Sequence, residues 1–230
     1  MTAPPASPNH GPRREGLTPE LVVIHFTAMA DCAAARARLC DPSAEVSAHW
    51  LIDYDGSAEL LVPEALRAWH AGAGEWAGRG DVNSRSIGIE LANDGREPFP
   101  EPQMAALDSL LAGLLGRWPI RPEGVIGHSD MAPARKSDPG PRFDWHRLAR
   151  QGLSVWPAPD PETGDTPPDP ERFDRDLTAF GYPQADPEAR LHAFRLRFAP
   201  GRQGPLSARD CAAATDLARR FAVDARPPQA

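Results

Sequence analysis

The sequence is almost without lysine: of its 25 basic residues only Lys136 is not an arginine. It has no excess of positive charge either, because 32 acidic residues leave a formal net charge of -7. A nucleic-acid-binding surface needs a basic field, so nucleic acid is excluded as an expected partner. Long hydrophobic runs are missing too. The longest is a few residues, against the roughly 20 that cross a bilayer, so no membrane span is expected. Cysteine is scarce, and Cys32, Cys40 and Cys211 are an odd number that cannot complete a disulfide framework. Cys32 and Cys40 lie eight residues apart on a helical stretch. That spacing is about 12 Å along a helix axis, so a shared metal or a mutual disulfide is excluded and buried small residues are expected. Residues 1–16 (MTAPPASPNHGPRREG) lack the apolar core of a signal peptide. A disordered N-terminus and a cytoplasmic protein are the resulting expectations. The arginine bias itself is a matter of coding composition, but it leaves a question: why is the single lysine where it is?

What is present reads as an α/β chain. Glu20–Phe26 (ELVVIHF) is a short β-branched apolar run, expected as a buried strand. Asp31–Leu39 is rich in Ala and Arg and suits a helix. Ser47–Asp53 alternates like a strand, Tyr54-Asp55-Gly56 is a hairpin signal, and Ala58–Val62 is the returning strand. Ser86–Leu91 (SIGIEL) and Gly124–Gly127 (GVIG) are further strands. Between them, Pro102–Trp118 puts Met104, Leu107, Leu111, Leu114, Leu115 and Trp118 on one helical stripe. Interleaved strands and helices favour a mixed central β-sheet flanked by helices over residues 17–153. Residues 154–170 hold six prolines and read as a linker. Three helical patterns follow over 171–224: Glu171–Phe180, a segment opening at Asp186-Pro187, and one opening at Ser207 with Asp210 in a capping-box position. They make a small three-helix C-terminal domain whose own core is thin, so it is expected to be docked or only marginally stable.

Among seven histidines, His10, His146 and His192 read as surface or structural residues. His25 and His128 each end a strand, where open α/β sheets assemble ligand sites. A strand-end histidine also has a simpler reading, as a hydrogen-bonded residue. The irregular run Ser129–Gly140, with Asp138 ten residues after His128, shifts the balance. Two imidazoles and a carboxylate with a fourth position open make a catalytic zinc ligand set.

The strings IHFTAM, SAHWLIDYDG, AWHAG, NSRSIGIELAN and IGHSDMAPARKSDPG, in this order, resemble the type-2 N-acetylmuramoyl-L-alanine amidase family, relatives of the peptidoglycan-recognition proteins. The resemblance covers roughly residues 20–150. The stretch FDRDLTAFGYP with AFRLRFAPGRQG is similar, over less of its length, to a three-helix peptidoglycan-binding domain, an arrangement closer to the AmiD than to the AmpD branch. The resemblance implies Zn2+ held by His25, His128 and Asp138, an acid/base carboxylate at Glu90 and a transition-state lysine at Lys136. It implies peptidoglycan fragments or muropeptides as partners, cleaved between N-acetylmuramic acid, or its 1,6-anhydro form, and L-alanine. No obligate protein partner is implied. A wall-binding module would suit the periplasm, against the cytoplasmic expectation drawn from residues 1–16.

The chemistry fits these assignments. An amide is a poor electrophile with a poor leaving group; a zinc ion polarises the carbonyl, and a nearby carboxylate relays the proton to the departing amine. Glu90 alternates with Gly88 on one face of an apolar strand, a face that can also simply meet solvent. Lys136 can stabilise an oxyanion, or be a solvated loop lysine. His49, Trp69, His70, Asn83 and Arg85 are candidates to touch substrate. His49 and His70 are equally suited to packing, and Arg85 to a solvated surface charge. The rival to an enzyme is a non-catalytic peptidoglycan-recognition module, which the intact His25, His128 and Asp138 oppose.

Overall fold

The computed structural model describes residues 6–159 and 167–222. Its centre is a five-stranded mixed sheet of β2 (Leu21–Phe26), β3 (Trp50–Ile52), β4 (Ala58–Leu60), β6 (Ser86–Leu91) and β7 (Val125–Gly127), in the order β4-β3-β6-β2-β7. β3, β6, β2 and β7 are mutually parallel, and β4 joins the edge antiparallel to β3. β2 is an interior strand, apolar on both faces over Leu21–Ile24, as a strand covered on both sides must be. Its Val22 and Ile24 face the same core as Ile87, Ile89 and Leu91 of β6. Against that face lies α3 (Glu101–Arg117), which buries Met104, Leu107, Leu111 and Leu114 at helical spacing.

The opposite face decides where the site goes. There the register sets Leu21 beside Ser86, Val23 beside Gly88 and His25 beside Glu90. Apolar residues at the strand starts thus give way to His25 and Glu90 at the C-terminal ends. Leu21 and Val23 share a core with Trp76 and with Phe173, Phe180, Phe194 and Leu217. Those four belong to α6 (Pro170–Phe180), α7 (Pro187–Phe198) and α8 (Ala208–Phe221), so the C-terminal helices are packed on the sheet. α8 starts at the expected capping box, with Asp210 N–H donating to Ser207 Oγ at 3.3 Å and Ser207 N–H to Asp210 Oδ2 at 3.0 Å.

Three expectations need correction. Residues 6–16 are ordered: β1 (His10–Pro12) pairs with β5 (Leu66–Ala68), and Ser7 is fully buried with its hydroxyl on Leu39 O at 2.6 Å. The cause is polar, not apolar. Arg13 donates to the carbonyls of Glu64, Ser84 and Ser86 at 2.7–3.0 Å, fastening the segment to the sheet. Residues 1–5 and 160–166, parts of the expected tail and linker, lie outside the described residues. The linker's first residues are packed, with Ser154 and Val155 buried. Finally, the run after His128 is not all loop, because His128–Met131 is one helical turn, α4. Remaining helices are α1 (Cys32–Cys40), with Asp31 capping Ala34 N–H, α2 (Val82–Arg85) and α5 (Trp145–Arg150).

Candidate metal centre

His25 is the penultimate residue of β2, His128 opens α4 after β7, and Asp138 closes the loop that follows. The three side chains converge. His25 Nδ1 and His128 Nδ1 are 2.9 Å apart, and Asp138 Oδ2 lies 2.9 and 3.0 Å from them. All three residues are buried. The backbone ties them too, since Ser129 N–H donates to Asp138 O at 3.0 Å.

The hydrogen-bond pattern fixes where the imidazole protons sit. Ser86 Oγ donates to Val82 O at 2.5 Å, so its remaining contact, to His70 Nε2 at 3.1 Å, must be with an N–H. His70 Nδ1 is then a lone pair and accepts from His25 Nε2–H at 3.0 Å. His25 Nδ1 in turn carries a lone pair aimed into the centre. His128 reaches the same state from the other side, its Nε2–H donating to Ala71 O at 2.9 Å. Burial and the nearby His128 lower the His25 pKa to about 4, and burial with the neighbouring histidines lowers that of His70, so both rings are neutral near pH 7. Two lone pairs and a carboxylate oxygen facing one another repel unless a cation lies between them. A tetrahedral ion with bonds near 2.0–2.1 Å keeps its ligands roughly 3.3 Å apart. The donors need open by only a few tenths of an ångström. The residues fit a divalent cation, and the fourth side is open to the cleft.

Glycine at 88 makes this possible. A Cβ there would meet the His70 ring at 2.4–2.6 Å. Gly88→Ala is therefore expected to push His70 off His25 Nε2 and to weaken metal binding by about tenfold, the usual order for losing a partner of a ligand. Chelator competition measures it, and an unchanged affinity would show that His70 does not orient His25.

The cleft, of about 370 Å³, is lined by Thr27, Met29, Arg38, Trp69, Glu90, Arg135 and Lys136 around the three donors. That volume lies within the range of small-ligand sites. Glu90 opens partly to it, yet its Oε2 is enclosed and has no hydrogen-bond partner among the described residues. Burial pushes the Glu90 carboxyl well above the ordinary carboxylate range; Asp138 adds to this and Lys136 partly offsets it. Lys136 lines the cleft and makes no ion pair among the described residues. With Arg38 and Arg135 it gives the cleft three cations, against the net negative charge of the chain.

Of the proposed substrate contacts, Trp69 and His70 line the cleft and His49, Asn83 and Arg85 do not. His49 is fully buried and spent on backbone, donating to Leu66 O at 3.0 Å and accepting from Gly88 N–H at 2.9 Å. Asn83 Oδ1 accepts from His70 and Ala71 N–H at 3.0 and 2.8 Å, holding the loop that carries His70. Arg85 sits at the far end of β6, bound to Glu20 and to the carbonyls of Trp76 and Arg79. Arg135, which sequence reasoning missed, donates to Ala71 O at 2.8 Å beside His128; nothing in an exposed loop arginine signals this.

Comparison with known proteins agrees in region and fold. The pattern of the Amidase_2 family, described as N-acetylmuramoyl-L-alanine amidase, matches residues 15–141. The chain is 42% identical over 154 residues to N-acetylmuramoyl-L-alanine amidase AmiD of Escherichia coli (strain K12), across 60% of this chain and 55% of that protein. It is 37% identical over 159 residues to 1,6-anhydro-N-acetylmuramyl-L-alanine amidase AmpD of Enterobacter cloacae, across 62% of this chain and 85% of that one. Its fold superposes with a TM-score of 0.80 on the AmiD structure from E. coli in complex with anhydro-N-acetylmuramic acid-L-Ala-D-gamma-Glu-L-Lys. That match has 33% identity and covers 96% of this chain and 93% of the other.

Proposed function

The chain belongs to the N-acetylmuramoyl-L-alanine amidase family, and from that premise we infer that it hydrolyses the amide joining N-acetylmuramic acid, including its 1,6-anhydro form, to the L-alanine of peptidoglycan stem peptides. The observation that carries this reading is the convergence of His25 Nδ1, His128 Nδ1 and Asp138 Oδ2 beside a carboxyl group, Glu90, whose pKa is raised.

His25, His128 and Asp138 would hold Zn2+. When bound there, the ion polarises the scissile carbonyl and acidifies water. Glu90 takes the proton of the attacking water and returns it to the departing L-alanine nitrogen. A carboxyl with a raised pKa suits both halves of that transfer. With no partner for its Oε2 among the described residues, the proton site is uncommitted. Lys136 offers a cation on the cleft wall to the oxygen that gains charge as the carbonyl becomes tetrahedral. Arg38, Arg135 and Lys136 also give the cleft the sign that attracts the carboxylates of a stem peptide.

The direct test incubates the zinc-loaded protein with anhydro-muropeptide and with intact sacculus, then identifies products by mass. Release of peptides with a free L-alanine amino terminus is expected. Cleavage inside the stem peptide, or full zinc occupancy without release, overturns the reading. Lys136 has its own test. Lys136→Arg is expected to retain zinc and lose most of the activity, at least about tenfold in kcat, because a planar forked guanidinium does not replace a point donor. Near-normal turnover would return the lysine to the solvent.

A further inference from the structure

Asp130 is completely buried two residues after His128, and all of its charge is used. Its Oδ2 accepts from Gly127 N–H at 2.8 Å, closing the turn that starts at His128. The other partners come from the C-terminal helices. Arg197 of α7 donates Nη1–H to Asp130 Oδ2 at 2.8 Å, and Tyr182, just after α6, donates its hydroxyl to Oδ1 at 2.5 Å. Arg197 is itself buried and also donates to Val125 O of β7 at 3.0 Å, while its guanidinium stacks 4.5 Å over Trp145. The same short turn carries His128 and, through Ser129 N–H, the backbone of Asp138.

We propose that Arg197 and Tyr182 are positioning residues of the metal centre, acting through Asp130 to hold the turn that presents His128 and Asp138. The C-terminal helices then complete the site whatever else they bind. The inference rests on the reading of His25, His128 and Asp138 as zinc ligands. The bonding asymmetry supports it. A carboxylate with one backbone partner holds a turn loosely, whereas one fixed on both oxygens by a buried arginine and a buried phenol cannot swing. Asp130 touches no substrate cleft, and no other group among its described partners neutralises its charge.

Zinc affinity, measured by chelator competition on the full chain, tests it, together with the visible absorption of the cobalt-substituted protein. Tyr182→Phe removes one hydroxyl and keeps the ring, so it folds even where Arg197→Met does not. The control is Arg195→Met, which breaks the buried Arg195–Asp210 pair inside the same helices, away from Asp130. Tyr182→Phe and Arg197→Met are expected to weaken zinc binding by about tenfold or more and to shift the cobalt spectrum. Arg195→Met is expected to change neither at matched Tm. Unchanged affinity and spectrum in Tyr182→Phe and Arg197→Met, or an equal loss in Arg195→Met, overturns the proposal. A parent protein that binds no zinc is a separate result: it overturns the reading of the donor set on which the proposal stands.

Discussion

Glu90→Gln is expected to bind zinc with the parent's affinity and to lose about 10³-fold in kcat, within the range a positioned acid/base contributes. The substitution keeps size and shape, so β6 and its neighbours are undisturbed. What it removes is the group that exchanges a proton. Glu90 lies beside His25 in register and on the same face of the sheet, so its carboxyl reaches the space in front of the donors without belonging to them. Its Oε2 has no hydrogen-bond partner among the described residues, unlike a carboxylate kept for structure. An amide cannot replace it, because it neither accepts the proton of water nor delivers one to an amine. Single-turnover kinetics on a muropeptide, with zinc measured in the same sample, separate the two quantities. A loss confined to KM would mean that Glu90 binds substrate, and a loss that follows zinc content would make it a ligand.

Much of this centre was legible in the sequence, for a specific reason. His25 and His128 were marked by ending apolar strands, and Glu90 by the family resemblance of SIGIE; parallel pairing then puts His25 and Glu90 side by side. Asp138 was legible because the loop after His128 has few apolar residues to explain it otherwise. The candidates that lie outside the cleft do so for two reasons. Asn83 and Arg85 immediately precede the strand that ends at Glu90, and closeness in sequence was read as closeness in space. A strand advances about 3.3 Å per residue, so Arg85 lies roughly 16 Å from Glu90, at the opposite end of β6. His49 shares a strand pattern with the site, but its two ring nitrogens serve Leu66 O and Gly88 N–H, a use that no alternation pattern reveals.

The N-terminal segment and the Arg197–Asp130 pair escaped sequence reading because both depend on long-range polar contacts. Arg13 fastens residues 6–16 by carbonyls some fifty to seventy positions away, and Arg197 meets Asp130 across 67 positions. In a chain with 24 arginines, none of these is marked out by composition. Lysine is the exception that composition does mark, and Lys136 lies on the cleft wall between two donors in sequence.

Removing zinc is expected to cost the protein several kilocalories per mole of stability, and the sign of a ligand substitution should reverse with it. A ligand present at a thousandfold excess over its Kd stabilises the native state by about 4 kcal/mol. For a chain of this size that corresponds to roughly 8–16 °C in Tm. Adding chelator should therefore lower the parent's Tm by about that much. Asp138→Ala should abolish the zinc-dependent shift, since two imidazoles alone make a poor site. The crossing comes in chelator at about pH 8. There the parent holds a buried carboxylate oxygen 2.9 and 3.0 Å from two ring lone pairs. Asp138→Ala removes that repulsion and the cost of burying the charge, at the expense of little packing. With zinc the variant should be less stable than the parent; with chelator it should be at least as stable. Thermal melts of both proteins in both conditions decide it. A variant destabilised equally in zinc and in chelator would make Asp138 an ordinary structural carboxylate, held by protonated imidazoles instead of a metal ion.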